Sequence, residues 1–150
     1  MKPVEELKKL RIRSLQSSNQ QGRLNVDTPL SFELHAIADD DNAVRLNVLC
    51  RENGDNVEIG YDPIASVLYV DATSSGTCQR AIRESAPLLL DPGERIELTC
   101  YVDHSVVEVF ANERQAITRR IYNLSSALPY IYVKGAKQIN IWEMAASMPY

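Results

Sequence analysis

The sequence has little of what most recognisable site chemistry requires. Its three cysteines, Cys50, Cys78 and Cys100, are odd in number, widely spaced and form no C-x-x-C pair. They read as buried thiols in a reducing compartment, not as a disulfide framework or a zinc site. There are two histidines, His35 and His104, with no H-x-x-x-H or H-E-x-x-H spacing, and neither a G-x-S-x-G elbow nor a P-loop occurs. Basic residues are not in excess: the net charge of -4 argues against binding a phosphate backbone, which needs a basic face. No apolar run approaches the roughly 18 residues of a membrane-spanning helix. The start, Met1 to Leu7, is charged and has no signal-peptide hydrophobic core. If Met1 is the natural start, a cytoplasmic protein is expected; if the chain was cut from a longer one, its first residues say nothing about export. No cofactor, no metal, no nucleic acid and no membrane are expected.

Long helical periodicity is scarce as well. Residues 3–10, PVEELKKL, are consistent with about two helical turns, since Pro3 suits a first helical position and Val4, Leu7 and Leu10 recur at i, i+3 and i+6. Nearly everything after that alternates. Strand-like runs cover residues 11–15, 30–38, 44–51, 57–61, 67–71, 95–102, 106–111, 115–122, 130–133 and 138–144, with a weaker one at 79–83. Turn signals lie between them, among them Asp39-Asp40-Asp41-Asn42, Glu52-Asn53-Gly54-Asp55 and Asp91-Pro92-Gly93. Many short strands at this spacing predict an all-β, two-layer antiparallel β-sandwich in one domain. In the run 31–38, Phe32, Leu34 and Ala36 share one face while Glu33 and His35 share the other, as a sheet with one buried and one wet face requires. Asp39-Asp40-Asp41 invites a calcium reading, but the EF-hand offsets from Asp41 fall on Ala43 and Arg45, so an acidic hairpin turn is expected. Asn123-Leu124-Ser125 matches a glycosylation sequon, which matters only in a secreted protein.

The stretch YVDHSVVEVFANERQAITRRIY, residues 101–122, reads as a hairpin turning at Asn112-Glu113-Arg114. Glu108 sits in its apolar middle, and Arg119 and Arg120 sit side by side on the return. Neighbours in a strand face opposite sides, so one of the two arginines shares a face with Glu108 whatever the register. A partly buried Glu–Arg pair is the expected arrangement, and Glu108→Ala is then expected to cost about 3–5 kcal/mol if the pair is buried. The alternative is a glycosidase carboxylate, which needs a second carboxyl group about 5–9.5 Å away. The same-face neighbours of Glu108 on its own strand are Val106 and Phe110, so that strand offers none.

This hairpin resembles the signature of the C-terminal β-sandwich of glycoside hydrolase family 32, which holds invertases, levanases, inulinases and sucrose-6-phosphate hydrolases. The resemblance lies in Asp103, Ser105, Glu108-Val109-Phe110, Thr118 and Arg120-Ile121-Tyr122. KPVEELKKLR is similar to the family's junction after its catalytic domain, IGYDPIASVLYVDATSSG to its middle hairpin and INIWEM to its closing strand. The departures are Asn123 where proline commonly follows Arg-Ile-Tyr, a short loop before Leu128-Pro129, and a single glycine, Gly135, near the last hairpin.

The resemblance implies a junction over residues 1–10 and a sandwich over 11–150. It also implies that retaining chemistry belongs to a five-bladed β-propeller, with its carboxylates in W-M-N-D-P-N, R-D-P and E-C motifs. None of these occurs here, so no catalytic residue carries over. At about 40–50 residues per blade, five blades exceed the whole chain. The expected role is therefore that of an accessory module that supports the propeller, in cis or in trans. Asp103, Ser105, Glu108, Phe110, Arg119 and Arg120 then serve as structural signature, and an apolar docking patch is expected to promote homo-oligomers. The alternative is a stand-alone lectin-like module binding fructan or sucrose on an aromatic platform, with Tyr130, Tyr132 or Trp142 as candidates. A residual hydrolase ranks last.

Overall fold

The computed structural model describes residues 3, 5–18, 21–24, 31–73, 83–121 and 129–145. The weak run at residues 79–82, Cys78, Tyr122 and the sequon at Asn123 lie outside them. Among the described residues a 3₁₀ helix, Glu5–Leu10, leads into twelve strands. These are β1 (Arg11–Ser18), β2 (Gly22–Arg23), β3 (Ser31–Ala38), β4 (Arg45–Cys50), β5 (Val57–Asp62) and β6 (Val67–Asp71), followed by β7 (Arg83–Pro87), β8 (Glu97–Asp103), β9 (Val106–Ala111), β10 (Gln115–Arg120), β11 (Tyr130–Lys134) and β12 (Ala136–Met144).

They form two six-stranded sheets. The front sheet runs β1-β12-β3-β8-β9-β10 and the back sheet β2-β11-β4-β5-β6-β7. Every pairing is antiparallel. Alternation decides which side of each strand is buried. Phe32, Leu34, Ala36, Leu98, Cys100, Val107 and Val109 point inward from the front sheet, and Leu46, Val48, Ile59, Leu68, Val70, Ile131 and Val133 close on them from the back; all are buried. This is the predicted two-layer architecture.

The corners between sheets need special backbone. Asn42 takes a left-handed conformation (φ 56°) in the passage from β3 to β4, and its side chain donates to Glu94 O and accepts from Ile96 N, tying that passage to the approach of β8. Gly135 (φ 78°) carries the chain from β11 to β12, where a Cβ would meet Ala43 O at 2.7 Å, so only glycine fits. The acidic run is a turn: Asp39 accepts from Asp41 N, and Asp40 pairs with Arg95 at 2.8 Å. At the β9–β10 tip, Asn112 (φ 51°) and Glu113 (φ 58°) both adopt left-handed backbone, with Arg114 N donating to Ala111 O. Three residues, Asn112, Glu113 and Arg114, thus separate the paired Ala111 and Gln115, and that loop length sets Glu108 opposite Thr118.

Two strands depart from the sequence expectation. β7 had no strand-like run over most of its length: Arg-Glu-Ser-Ala-Pro has no β-branched or aromatic residue, and it is an edge strand paired only with β6. β2 is two residues long. The amino-terminal turns are 3₁₀ in form and bury no residue.

Candidate functional site

Antiparallel pairing lines up outward-facing side chains in rows. On the outer face of the front sheet Trp142 stands beside Glu33, Glu33 beside Tyr101, Tyr101 beside Glu108 and Glu108 beside Thr118, across five strands. The next row sets Asn140, His35, Thr99, Phe110 and Ala116 abreast. An outer face is ordinarily wet. Glu33 is nevertheless only 2% exposed.

What covers it comes from another part of the chain. Arg11, the first residue of β1, grips both carboxylate oxygens of Glu33 through Nε and Nη2, each at 2.7 Å. Tyr101 donates its hydroxyl to Glu33 Oε1 at 3.3 Å. The Arg11 guanidinium lies 3.8 Å from the centroid of the Trp142 ring, within cation–π range. The hydrogen bond to Glu33 raises the pKa of Arg11 above the ordinary arginine value. Burial, and then the charge of Glu33, push that of Tyr101 up. The four side chains border a groove of about 580 Å³, whose lining also includes Pro3, Glu5 and Lys8 from the leading segment. Tyr101 and Phe110 meet edge to face there, with centroids 6.3 Å apart.

The groove's acids are engaged in holding it together. Both Glu33 oxygens lie on Arg11. Glu97 meets His35 Nε2 at 2.6 Å. Glu94 accepts from Asp91 N, Asn112 and Arg114, bonds that lower its pKa from the usual 4.5. Two strand spacings, at about 4.8 Å each, separate Glu33 from Glu108, with Tyr101 between them. A bidentate ion pair on one of these acids leaves no acid/base couple in that row. Among the described residues no group of three or more His, Cys, Asp or Glu is placed to hold a metal ion. Burial pushes the thiol of Cys50 up to about 11 and that of Cys100 to about 12, so neither is a thiolate near neutral pH.

The signature residues fall on both sides of the front sheet. Asp103, Glu108, Phe110, Thr118 and Arg120 alternate onto its outer face, with Ser105 in the adjoining turn. Arg119 lies on the opposite side and pairs with Glu84 of β7, joining the edges of the two sheets. Arg120 is the arginine that shares the face of Glu108, but it stands opposite Val106, one diagonal step away. The hydrogen bond of Glu108 is accepted from Thr118 Oγ1 at 3.3 Å. Glu108 is half-buried, in keeping with the partly buried carboxylate expected, and the hairpin register sets Thr118 directly opposite it with Arg120 on the diagonal. The buried Glu–Arg pair of the front sheet is Arg11–Glu33, which sequence reasoning did not single out.

The three aromatic candidates do not converge. Trp142 belongs to the front face under Arg11, whereas Tyr130 and Tyr132 lie on β11 of the back sheet. Arg23 stacks on Tyr130 at 3.8 Å, and Tyr132 is 42% exposed. The outer face of the back sheet has its own groove, of about 310 Å³. There Tyr69 donates to Glu58 at 3.0 Å, Arg45 approaches Glu58 at 3.5 Å, and Arg83 stacks on Tyr69 at 4.1 Å. The Tyr69 hydroxyl crosses Gly60, where a Cβ would come within 2.6 Å of it. Burial, then Glu58, push the Tyr69 pKa up to about 12.

Fold and site together define an antiparallel β-sandwich domain whose outer faces carry polar networks. The chain belongs to the family described as glycosyl hydrolases family 32 C terminal, whose model matches residues 3–143. No curated protein matches its sequence. Among solved structures, sucrose-6-phosphate hydrolase from Lactobacillus gasseri is similar at 23% identity and a TM-score of 0.79, covering 97% of this chain and 31% of that one. Exo-inulinase from Aspergillus awamori is similar at 20% identity and a TM-score of 0.77, covering 98% and 32%. A carbohydrate binding module from Bacillus subtilis shares the fold at 11% identity and a TM-score of 0.53, covering 85% and 83%. The chain thus spans about a third of the two enzymes it resembles.

Proposed function

We propose that this chain is the non-catalytic C-terminal domain of a glycoside hydrolase acting on β-fructosides, and that it supports a catalytic propeller preceding it in the same polypeptide. The observation that carries this reading is the family match over residues 3–143 in a chain about one third the length of the enzymes it resembles. The engagement of Glu33, Glu94 and Glu97 in hydrogen bonds and ion pairs supports it, because carboxylates held this way brace a surface. The test is a hydrolysis assay of the purified chain with sucrose, inulin and levan. No turnover is expected, and turnover above background by the chain alone overturns the assignment.

A second reading, a sugar-binding module, is favoured by the likeness to the Bacillus subtilis carbohydrate binding module, which shares most of both chains. The exposed ring of Tyr132 is its best platform. Calorimetry with millimolar fructan or sucrose decides it: binding heat abolished by Tyr132→Ala supports the module, and absence of heat removes it. Self-association is a further proposal. Ile64 and Leu89 stand exposed on loops joined by the Leu88 N to Ser66 O hydrogen bond, and light scattering at high concentration tests whether they hold copies together.

A further inference from the structure

Among the described residues two charged side chains are buried, Glu33 and Arg51. Glu33 has its counter-charge in Arg11. Arg51, which directly follows β4, is 6% exposed, and its Nε is enclosed without an acceptor. Among the described residues no carboxylate pairs with its guanidinium. An arginine cannot shed its proton as a buried lysine can, so the charge stays. The acids nearest in the chain are committed elsewhere. Glu52 pairs with Arg23 at 2.7 Å, and Asp55 accepts from the Asn53 amide at 3.1 Å. The loop from Arg51 to Asn56 is closed on its own backbone: Arg51 N donates to Asp55 O at 2.8 Å, and Gly54 N donates to Arg51 O at 3.0 Å. Two residues before Arg51, Leu49 takes left-handed backbone (φ 52°) where the register of β4 against β11 shifts. Leucine has no ease there, and such irregularities re-aim the side chains that follow them.

We propose that Arg51 anchors an oxyanion site at the foot of the β4–β5 loop, taking a small carboxylate or phosphate along one edge of its guanidinium. Arg11 shows in the same molecule what such an edge receives: its Nε and Nη2 each hold one oxygen of Glu33 at 2.7 Å. An oxyanion on Arg51 satisfies the enclosed Nε in the same planar, two-point manner and neutralises the charge. The way in lies through the loop tip, where Glu52, Asn53 and Gly54 are exposed. Nothing stands within 4 Å of the place a Cβ would take on Gly54, so the tip has room to move aside. Glu52 is the nearest negative charge, and its ion pair with Arg23 weakens its repulsion of an incoming anion. Arg51 lines neither of the two outer-face grooves, so the site is separate from both. It does not depend on the accessory-domain assignment. It also differs from a sugar platform, because an uncharged sugar leaves the guanidinium without a counter-charge.

Thermal melts of the 150-residue chain in chloride, then with inorganic phosphate or with acetate at matched ionic strength, test this. The native chain is expected to gain about 2–4 °C at about five times the dissociation constant. Arg51→Met, which keeps the side chain's reach and removes its charge, is expected to gain nothing. A gain with phosphate alone assigns a phosphate ligand, and a gain with acetate alone assigns a carboxylate; either supports the site. Equal gains in native chain and variant, or none in either, overturn it. In chloride alone Arg51→Met is expected to melt no lower than the native chain, since it removes an uncompensated charge. A clear fall there shows that the chain supplies its own counter-charge and overturns the proposal too. If that variant does not fold, calorimetric titration of phosphate and of acetate into the native chain and into Glu52→Gln, an exposed position, carries the test. Tighter binding of one of the anions to Glu52→Gln supports the site, and absence of heat from both anions in both proteins overturns it.

Discussion

The two outer faces of this sandwich are built from the same parts and put them to different ends. Each sets a glutamate beside a tyrosine hydroxyl and an arginine, with a second aromatic contact close by: Glu33, Tyr101, Arg11 and Trp142 in front; Glu58, Tyr69, Arg45 and Arg83 behind. In front the arginine approaches along both carboxylate oxygens at 2.7 Å, and its partner is 2% exposed. Behind, the nearest approach is 3.5 Å, between side chains 52% and 26% exposed. Burial separates the two. An ion pair in water is worth little, since solvent already satisfies both charges. A covered pair cannot lose one partner without stranding the other. The back cluster therefore decorates a strand surface, whereas the front one fastens the entering segment to the sheet.

That contrast predicts a graded set of losses. Arg11→Met, which strands a buried carboxylate, is expected to lower unfolding free energy by about 3–5 kcal/mol in urea titrations. Glu33→Gln is expected to cost less, about 2 kcal/mol, because Arg11 retains 27% exposure and some solvation. Tyr101→Phe removes one donor from the same carboxylate and is expected to cost about 1 kcal/mol. Glu108→Ala, whose partner is a threonine at a half-buried site, is expected to cost no more than about 1 kcal/mol, well below the figure for a buried Glu–Arg pair. Glu58→Gln on the back face closes the series at under about 1 kcal/mol. Equal losses for Arg11→Met and Glu58→Gln would erase the distinction between the faces.

An acid titration sharpens the comparison from the rim of the front groove. Glu94 has its folded pKa lowered, first by the Asp91 amide and then by Asn112 and Arg114. A depressed carboxyl contributes stability above its unfolded value of 4.5, and that contribution is lost as the pH falls through the folded value. Melting temperatures followed downward from pH 5 are expected to drop more steeply for the native chain than for Glu94→Gln. Parallel curves would show that the rim hydrogen bonds do not discriminate charge.

The sheets were legible in the sequence because burial follows period two. Phe32, Leu34 and Ala36 announced an inner face, and the structure closes the core on them. The hairpin at residues 106–120 was legible too, and Arg119 and Arg120 do face opposite ways. Which arginine meets what was not, since pairing depends on a register set by left-handed backbone at Asn112 and Glu113. The front latch was hidden for a different reason. Arg11 and Glu33 are 22 residues apart on strands separated by β12, and nothing local in Ser31-Phe32-Glu33-Leu34 distinguishes a covered glutamate from a wet one. β7 escaped notice because an edge strand that buries little has little need of β-branched side chains.

The most direct measurement is a pair of double-mutant cycles, Arg11→Met with Glu33→Gln on the front face and Arg45→Met with Glu58→Gln on the back. A coupling of about 2 kcal/mol or more in front and below about 0.5 kcal/mol behind is the result this structure predicts. Equal couplings, or a larger one on the back face, would contradict it.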